Sequence, residues 1–354
     1  MSVRVRFAPS PTGSLHLGNA LTAVANRRFA DERGGVLVLR IDDTDPARAA
    51  ASGEEAILAD LEWLGVRWEE GPFRQSERGT LYVEAAERAL ASGAAMRDED
   101  GAVRLRETGT TLLRADGRAT YHLASVVDDL ALRITHIIRG ADHRPNLELH
   151  RAIARALGDE LPEVMHHGLL LGPDGSKLSK RHGHASLADL RAEGFPAQAV
   201  RAYLEELDLP AHDVRLDLSR LRRLAIDAIA AMSDEELAEA AGAPIEAAAA
   251  MRGARTLVEA QEYARLVLEP RAAVVPLEGR PTLDRFRELR SATAERLSLE
   301  EAREIVRELK AVGGDLRALR LALTGAERGP ELAAILAALP RDVALARAAA
   351  RGKA

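Results

Sequence analysis

The chain has 354 residues, of which 47% are hydrophobic and 29% are charged, and its formal net charge at pH 7 is −6. This length allows two or three domains, and the composition is that of a soluble globular protein. No apolar run approaches the ~20 residues that span a bilayer, and no signal-peptide pattern opens the sequence. The default expectation is therefore a cytoplasmic protein that is not associated with a membrane. The absence of cysteine excludes disulfides, thiolate metal sites and a cysteine nucleophile. The acidic total gives no support to a generally basic nucleic-acid binder, although a local basic patch could still bind one.

The first predicted elements form a strand, a helix and a second strand. Apolar residues alternate with arginines from Val3 to Phe7, which predicts a strand, and the apolar run from Val36 to Ile41 is typical of a buried parallel strand. Between them, apolar residues recur at helical spacing from Leu17 to Phe29. The pattern predicts a right-handed βαβ unit at the start of an α/β domain.

The connection APSPTG between the first strand and the helix is unusual. Pro9 and Pro11 fix φ and donate no N–H, which makes the turn stiff and extended. Gly13 and Gly18 remove side chains where a ligand or a backbone could approach closely. An ordinary connection of an α/β domain would explain the same pattern, so both interpretations stay open here.

The predicted helix gives this turn an electrostatic role. A helix that begins near Leu17 directs its free N–H groups and the positive end of its dipole toward whatever lies above the turn, which favours phosphate. His16 and Asn19 would flank such a site as hydrogen-bond donors. The turn is therefore a candidate phosphate site.

Three carboxylates follow the second strand. Asp42, Asp43 and Asp45 lie at its C-terminal end, where ligands bind in open α/β sheets. Carboxylates there would hold a cationic group such as an α-amine. The alternative is a charged surface loop in which the acidic residues form a turn.

The next segment alternates between helices and a polar stretch. Ser52 and Glu55 predict a capping box for a helix, and a second helix is predicted from Leu81 to Leu90. From Ser92 to Leu113 the sequence is polar and contains glycine, which predicts a loop or a small two-stranded excursion.

Regular α/β patterns resume after this stretch. The runs 123–127 and 134–138 predict two strands, the first of them ended by Asp128 and Asp129, and a helix is predicted from Leu147 to Leu157. Four side chains near these runs could reach a ligand crevice, although each taken singly is more often structural: Tyr121, Arg139, Asp142 and His143.

A basic loop follows a further apolar run. The run from Met165 to Leu171 predicts a strand or the approach to one, GPDG predicts a turn, and Lys177, Lys180 and Arg181 come next. The chain has only four lysines, and two of them lie in this segment, KLSKR. Three cations on a loop suit a polyphosphate, and the alternative is a solvated basic turn.

The rest of the chain, from residue 187 to residue 354, has a helical pattern. Ser233 with Glu236 and Ser298 with Glu301 predict capping boxes, and the change in periodicity places a domain boundary near Ser186. Helical arginines such as Arg220, Arg222 and Arg223 could meet a nucleic-acid backbone or form solvated faces.

Several segments together match one family. RFAPSPTGSLHLGN resembles the first signature of the class I aminoacyl-tRNA synthetases, and KLSKR resembles the second. The wider context resembles the glutamyl-tRNA synthetases, densely from Val3 to Phe195 and again near the C-terminal end, in the segments LRIDDTD, WLGVRWEEGPFRQSER, TYHLASVVDD, IRGADH, LLLGPDGSKLSKRHG and LRALRLALTGAERGPEL. The resemblance implies an α/β fold, with a Rossmann-like parallel-sheet catalytic domain followed by an all-α C-terminal region.

The resemblance also implies a reaction and its residues. Glutamate is activated by ATP to glutamyl-adenylate, with Mg²⁺ on the phosphates and no zinc, and is then transferred to tRNA(Glu). The residues that the resemblance makes catalytic are His16, Asn19, Lys177 and Lys180. Those that it assigns to ATP are Pro9, Ser10, Thr12, Gly13, His16, Gly18, Asn19 and Lys180. Those that it assigns to glutamate are Arg6, Ala8, Ser10, Asp42, Tyr121 and Arg139, with Arg6 on the side-chain carboxylate and Asp42 on the α-amine.

This chain departs from the family pattern in several places. Asn19 and KLSKR replace the commonest signature endings, Asp42 stands where the family usually has glutamate, and Ala141 replaces an acid in the segment RGAD. The family's connective insertion, which grips the acceptor stem, is reduced to about twenty residues, from Ser92 to Leu113. The resemblance therefore includes the segments that activate glutamate, whereas the segment that grips the acceptor stem in the family is largely missing here.

The predicted organisation and the alternatives follow from the resemblance. The expected segments are a first catalytic half, an abbreviated connective segment, a second catalytic half, a helical stem-contact region and an anticodon-binding-like domain, over residues 1–91, 92–113, 114–186, 187–240 and 241–354. A monomeric ligase is expected. Two other interpretations stay open: an enzyme like glutamyl-queuosine tRNA(Asp) synthetase, which lacks the C-terminal domain that this chain keeps, and a non-catalytic tRNA-binding paralogue.

Overall fold

In a computed structural model, the chain divides into two units. The first unit consists of Met1–Leu190 and Arg201–Asp217, and the second of Arg191–Val200 and Leu218–Ala354. The structure describes residues 2–45, 52–176, 178 and 186–349. All strands of these residues lie in the first unit. The division into five segments stays a prediction.

The strands of the described residues are β1 (Arg4–Phe7), β2 (Val36–Ile41), β3 (Glu70–Arg74), β4 (Ala95–Arg97), β5 (Val103–Leu105), β6 (Thr111–Leu113), β7 (His136–Gly140), β8 (Glu163–His167), β9 (Leu170–Leu171) and β10 (Val214–Arg215). The α-helices of the same residues are α1 (Leu17–Glu32), α2 (Gly53–Trp63), α3 (Gly79–Ala91), α4 (Tyr121–Ala131), α5 (Leu147–Ala156), α6 (Leu187–Ala192), α7 (Ala197–Leu207), α8 (Leu218–Ala231), α9 (Asp234–Ala241), α10 (Ala248–Met251), α11 (Leu257–Leu268), α12 (Arg280–Ser291), α13 (Leu299–Ala311), α14 (Leu316–Thr324), α15 (Leu332–Ala338) and α16 (Arg341–Ala349).

A layer of parallel strands organises the first unit. β1, β2 and β3 are adjacent and parallel in that order, and β7 is parallel to β8. The Thr135 N–H donates to the Arg4 carbonyl at 2.9 Å, and Arg6 Nη1 donates to the Ile138 carbonyl at 3.3 Å, so β7 runs beside β1 in the same direction. The C-terminal ends of β1 and β7 therefore open on one edge of the layer, where the chain order of the strands reverses. Such a point is where ligands bind in open α/β sheets.

The predicted βαβ unit is confirmed. β1 and β2 pair in parallel, from Arg4 opposite Val36 to Phe7 opposite Leu39, and α1 connects them. The apolar side chains of α1 are buried because they recur on the face that packs on the strands. Gly34 follows the helix with φ of 57°, a left-handed conformation that glycine adopts without strain and that lets the chain turn into β2.

The prediction of a strand at residues 123–127 is wrong, because these residues belong to α4. Thr120 caps this helix by accepting a hydrogen bond from the Leu123 N–H at 3.5 Å. Helices α3 and α5 and strand β6 cover the apolar side chains of α4, so its sequence is apolar over a whole turn and lacks the helical alternation. A short buried helix and a buried strand have the same local pattern. Asp128 and Asp129 consequently lie within the helix.

The segment from Ser92 to Leu113 contains more structure than the predicted loop or two strands. β4, β5 and β6 form a three-stranded antiparallel sheet, with Ala95 opposite Leu105 and Val103 opposite Leu113. Its buried residues pack against α3. Each strand has three residues, which is too short for an alternating pattern to appear in the sequence.

Two further predictions are corrected. Ser52 precedes α2, but its side chain makes no capping hydrogen bond, because its backbone lies at φ −114° and ψ 20° and not in the extended conformation of a capping residue. The run from Met165 to Leu171 forms two strands, β8 and β9, and not one. They are separated at Gly168, whose N–H leaves the layer and donates to the Pro210 carbonyl at 2.6 Å.

The second unit is built from α-helices. Both predicted capping boxes are confirmed: the hydroxyls of Ser233 and Ser298 accept from the N–H of Glu236 and Glu301, and the carboxylates bond back to the two serine N–H groups. Two apolar clusters form its core. The first consists of residues from α8 through α11, and the second consists mainly of residues from α12 through α16. Many of the buried residues are alanines, which allow the helices to approach closely.

Candidate active site

A cavity of about 290 Å³ opens at the edge of the layer where β1 and β7 end. Nine residues that the sequence assigned to ligands line it: Arg6, Ala8, Pro9, His16, Gly18, Asn19, Asp42, Tyr121 and Arg139. The polar residues that the assignment did not include are Thr22, Arg40, Ser125, Asp142, His143 and His167. Ser10, Thr12 and Gly13 belong to the same turn but do not line the cavity.

The turn after β1 is fixed on both sides. The Asp42 N–H donates to the Pro9 carbonyl at 2.9 Å, which attaches the turn to the end of β2. On the other side, the Asp60 carboxylate accepts from the Leu15 N–H and from the Ser14 hydroxyl, each at 2.7 Å. No local pattern predicts this role of Asp60, which α2 supplies from 45 residues away along the chain.

Helix α1 presents its N-terminal end at this cavity. The helix begins at Leu17, as predicted, and its first turn contains no acidic residue. The side chains of His16 and Asn19 and the backbone of Gly18 lie in the cavity wall. An anion in the cavity would therefore meet the positive end of the helix dipole without competition from a carboxylate of the helix's own first turn.

Four buried charged side chains form one network at the cavity, and three of them line it: Arg6, Arg40 and Asp42. Asp129 Oδ1 accepts from Arg6 Nε at 3.2 Å and from Arg40 Nη1 at 2.8 Å. Both oxygens of Asp42 accept from Arg40, at 2.6 Å from Nε and 3.1 Å from Nη2. Burial raises the pKa of Asp42 although Arg40 opposes the shift, whereas the charges of Arg6 and Arg40 outweigh burial at Asp129 and lower its pKa.

Asp128 connects these charges to α3. Its carboxylate is fully buried and accepts from Arg78 Nε at 2.7 Å, from the Tyr82 hydroxyl at 2.8 Å and from Gln75 Nε2 at 3.0 Å. Burial, followed by the charge of Asp128, raises the pKa of Tyr82, so the phenol stays protonated and remains a donor. This network was not predicted from the sequence, although one residue pointed to it: Arg40 is a charged residue inside an otherwise apolar strand.

The opposite wall carries Arg139, Tyr121 and several histidines. Arg139 stands near the end of β7 and is 6% exposed. Burial and the charge of Arg6 lower its pKa, which still leaves a guanidinium charged at neutral pH. Tyr121 begins α4, and its hydroxyl lies 3.4 Å from Nδ1 of His143. Burial, then the charge of Asp42, raises the pKa of Tyr121.

The predicted phosphate-binding lysines lie outside the described residues. Lys177 and Lys180 belong to the segments that the structure does not describe. Between them, Leu178 is described, is 4% exposed and lines the cavity. The predicted turn before them is confirmed, since Gly172 and Gly175 are joined by a hydrogen bond of 2.9 Å.

The described residues offer neither a cluster of metal ligands nor a membrane-spanning helix. Within residues 2–45, 52–176, 178 and 186–349, no group of three or more His, Asp or Glu side chains is arranged to hold a metal ion. None of the helices in this part of the chain combines the length and the apolar character that crossing a membrane requires.

Comparisons with known proteins show the family to which the chain belongs. The family described as "tRNA synthetases class I (E and Q), catalytic domain" matches residues 2–112 and 101–220. A glutamate–tRNA ligase of Rubrobacter xylanophilus is 46% identical over 247 residues, which are 63% of this chain and 57% of that relative. The chain thus spans little more than half of that protein.

Two other comparisons extend over nearly the whole chain. A glutamate–tRNA ligase of Nitrobacter winogradskyi is 33% identical over an alignment of 471 positions that covers 99% of both proteins. Since this chain has 354 residues, it has gaps opposite parts of that relative. The crystal structure of a glutamate–tRNA ligase from Elizabethkingia meningosepticum superposes with a TM-score of 0.80 at 23% identity and covers 98% of each chain, which establishes a shared fold.

Proposed function

Because the chain belongs to the class I tRNA synthetases of the E and Q group, we propose that it ligates L-glutamate to tRNA(Glu) with ATP. The observation that carries the proposal is the cavity at the ends of β1 and β7, which is lined by guanidinium groups and by the N-terminus of a helix. The first suits an amino acid with two carboxylates, and the second suits a phosphate.

The amino acid is selected by charge. Arg6 pairs with the side-chain carboxylate, and Asp129 and the Ile138 carbonyl hold the guanidinium in place. A bidentate pair with Arg discriminates an acid from its amide, which would bring an N–H donor against another donor. Tyr121 and Arg139 complete the site, and Ala8 leaves room in its wall.

The α-amine is bound by Asp42. Both oxygens of this carboxylate already accept from Arg40. Each carboxylate oxygen has a second lone pair, so the amine shares the carboxylate with Arg40 and does not displace it. The aspartate is one methylene shorter than the glutamate that the family usually has, and the shared guanidinium fixes its position.

The chemical step depends on position and electrostatics. A glutamate α-carboxylate oxygen attacks the α-phosphorus of ATP in line, the bond to the bridging oxygen breaks, and diphosphate leaves with the electron pair. His16, Asn19 and the N–H groups of α1 hold the α-phosphate region. Lys177 and Lys180, which lie outside the described residues, neutralise the departing phosphates.

The remaining requirements follow from these substrates. Mg²⁺ accompanies the phosphates of ATP, which together with water supply most of its ligands, so that a dedicated cluster of protein carboxylates is not required. No zinc is needed for this step. The protein acts as a monomer in the cytoplasm, where ATP and tRNA are available.

Charging of an unmodified tRNA(Glu) transcript with labelled glutamate and ATP tests the proposal. Label on the transcript is expected, and its removal by mild base would identify an ester at the 3′ end. The matched control is the His16→Ala variant, which should charge far less because it loses a donor at the α-phosphate.

Other outcomes would contradict the proposal. The transcript carries no queuosine, so glutamate-dependent ATP–diphosphate exchange without label on the transcript would favour transfer to a modified base, in agreement with the shortened connective segment. No exchange at all, with or without tRNA, would favour a non-catalytic tRNA-binding protein.

A further inference from the structure

Arg139 is held by histidines. Its Nε donates to His166 Nε2 at 3.3 Å, and its Nη1 lies 3.5 Å from His150 Nδ1. In the part of the chain that the structure describes, the third nitrogen, Nη2, is buried without a hydrogen-bond partner, and no carboxylate forms an ion pair with this guanidinium. Arginines of the same site behave differently, since Arg6 and Arg40 both bond to Asp129.

The hydrogen-bond directions fix the protonation of these histidines. A guanidinium only donates, so His166 Nε2 and His150 Nδ1 must both accept and must carry no proton. His150 is then protonated at Nε2, which lies 3.2 Å from His122 Nδ1 and donates to it. The three rings are therefore uncharged, and the tautomer of each follows from hydrogen bonds that begin at Arg139.

We propose that His166 and His150 are positioning residues that orient Arg139 as uncharged acceptors, so that its full charge and its Nη2 serve a carboxylate of the amino-acid substrate. This inference rests on the proposed function and adds how the orientation of the Arg139 guanidinium is fixed. A carboxylate in place of either histidine would give the same orientation but would neutralise the charge that binds the substrate. Neutral acceptors avoid this competition.

The surroundings keep these rings uncharged. Burial, followed by the positive charge of Arg139, lowers the pKa of His150 to about 3 and that of His166 to about 4. The other titratable groups that face His150 are His122, Asp129 and Arg6. Those that face His166 are Arg144, His143 and His167. Asp129 is the one group among them that opposes the shift at His150, and it is already paired with two arginines.

A pair of isosteric substitutions at His166 tests the proposal. In His166→Gln the amide oxygen stands where Nε2 accepts, whereas His166→Glu provides the same acceptor with a charge. The assay is glutamate-dependent ATP–diphosphate exchange in the presence of the tRNA(Glu) transcript, with KM for glutamate and kcat measured separately. We expect Gln to change KM by less than about threefold and Glu to raise KM about tenfold or more, with kcat affected much less, because an Arg–carboxylate pair competes directly with substrate.

Controls separate positioning from folding. His136→Gln and His136→Glu make the same changes at the first residue of β7, away from the cavity, and should leave KM unchanged. At this buried position, His150→Asn places an amide oxygen, Oδ1, close to where Nδ1 accepts and should retain KM, whereas His150→Leu removes the acceptor. If His150→Leu fails to fold, the His166 pair still decides the question.

Three outcomes would overturn the inference. Equal KM values for His166→Gln and His166→Glu would show that charge at this position does not matter. A wild-type KM that rises between pH 7.5 and pH 6, with the rise absent in His166→Gln, would show that His166 is protonated near neutrality. A fall in kcat with no change in KM would show that His166 does not act through binding of the substrate. Absence of exchange by the wild-type protein would instead refute the proposed function, so the two failures are distinguishable.

Discussion

Replacement of Asp129 by asparagine should destabilise the first unit strongly. The carboxylate is 3% exposed and holds Arg6 and Arg40 by two hydrogen bonds from one oxygen, at 3.2 and 2.8 Å. Asparagine keeps an acceptor there but removes the charge, which leaves two buried guanidiniums to share Asp42. Removal of one partner of a buried ion pair costs about 3–5 kcal/mol, and the retained acceptor puts the expected loss near the lower end of that range.

Urea unfolding followed by tryptophan fluorescence measures this loss. The two tryptophans, Trp63 and Trp68, both lie in the first unit, so the signal reports that unit and not the helical one. The midpoint should fall while the slope m stays the same. Asp116→Asn is a matched control, because the same change is made in a solvent-exposed pair with Arg118, and its midpoint should not move.

The loss of stability in Asp129→Asn should depend on pH in a direction that follows from the pKa of Asp129. The charges of Arg6 and Arg40 outweigh burial and lower the pKa of Asp129, so its folded pKa lies below the unfolded value of about 3.9. The stability that its charge contributes is therefore complete above that value and is lost as the pH falls through the folded pKa. The difference between wild type and variant should be constant from pH 8 to about pH 5 and should shrink below about pH 4. A loss under about 1 kcal/mol at pH 7, or a difference that grows on acidification, would refute the reasoning.

Three further predictions concern the segment KLSKR, the glutamate-binding residue Arg6, and Gly53 beside the turn after β1. Lys180→Ala should lower the rate of adenylate formation ~10²-fold or more in single-turnover assays, as loss of one preorganised donor does, and an unchanged rate would remove the loop from the mechanism. Arg6→Ala should abolish selection of glutamate over glutamine in exchange assays; retained selectivity would mean that another residue recognises the side chain. Gly53→Ala should destabilise the first unit by about 1–3 kcal/mol in the same urea assay, because a Cβ there would lie 2.1 Å from the Pro11 carbonyl oxygen. Gly79→Ala, also at the start of a helix but with open space around it, should not, and equal losses would contradict the steric explanation.

The parts of this protein that local sequence patterns determined are those whose partners are close in the chain. The βαβ unit was predictable because α1 returns the chain directly from β1 to β2, so alternation, helical spacing and a continuous apolar run appear in order. The two capping boxes were predictable because serine and glutamate three residues apart satisfy each other. The family signatures identified the turn and nine residues of the cavity wall for the same reason, since each signature is a short continuous segment.

Tertiary structure alone decided how the charges of the site are paired. Asp129 is 89 residues from Arg40 and 123 from Arg6, and no periodicity within one segment relates them. It also decided that residues 123–127 form a helix, because burial on every side erases the polar face that would have distinguished a helix from a strand. The two histidines that contact Arg139, His150 and His166, come from α5 and β8, and only the packing of the chain brings their lone pairs and its N–H groups together.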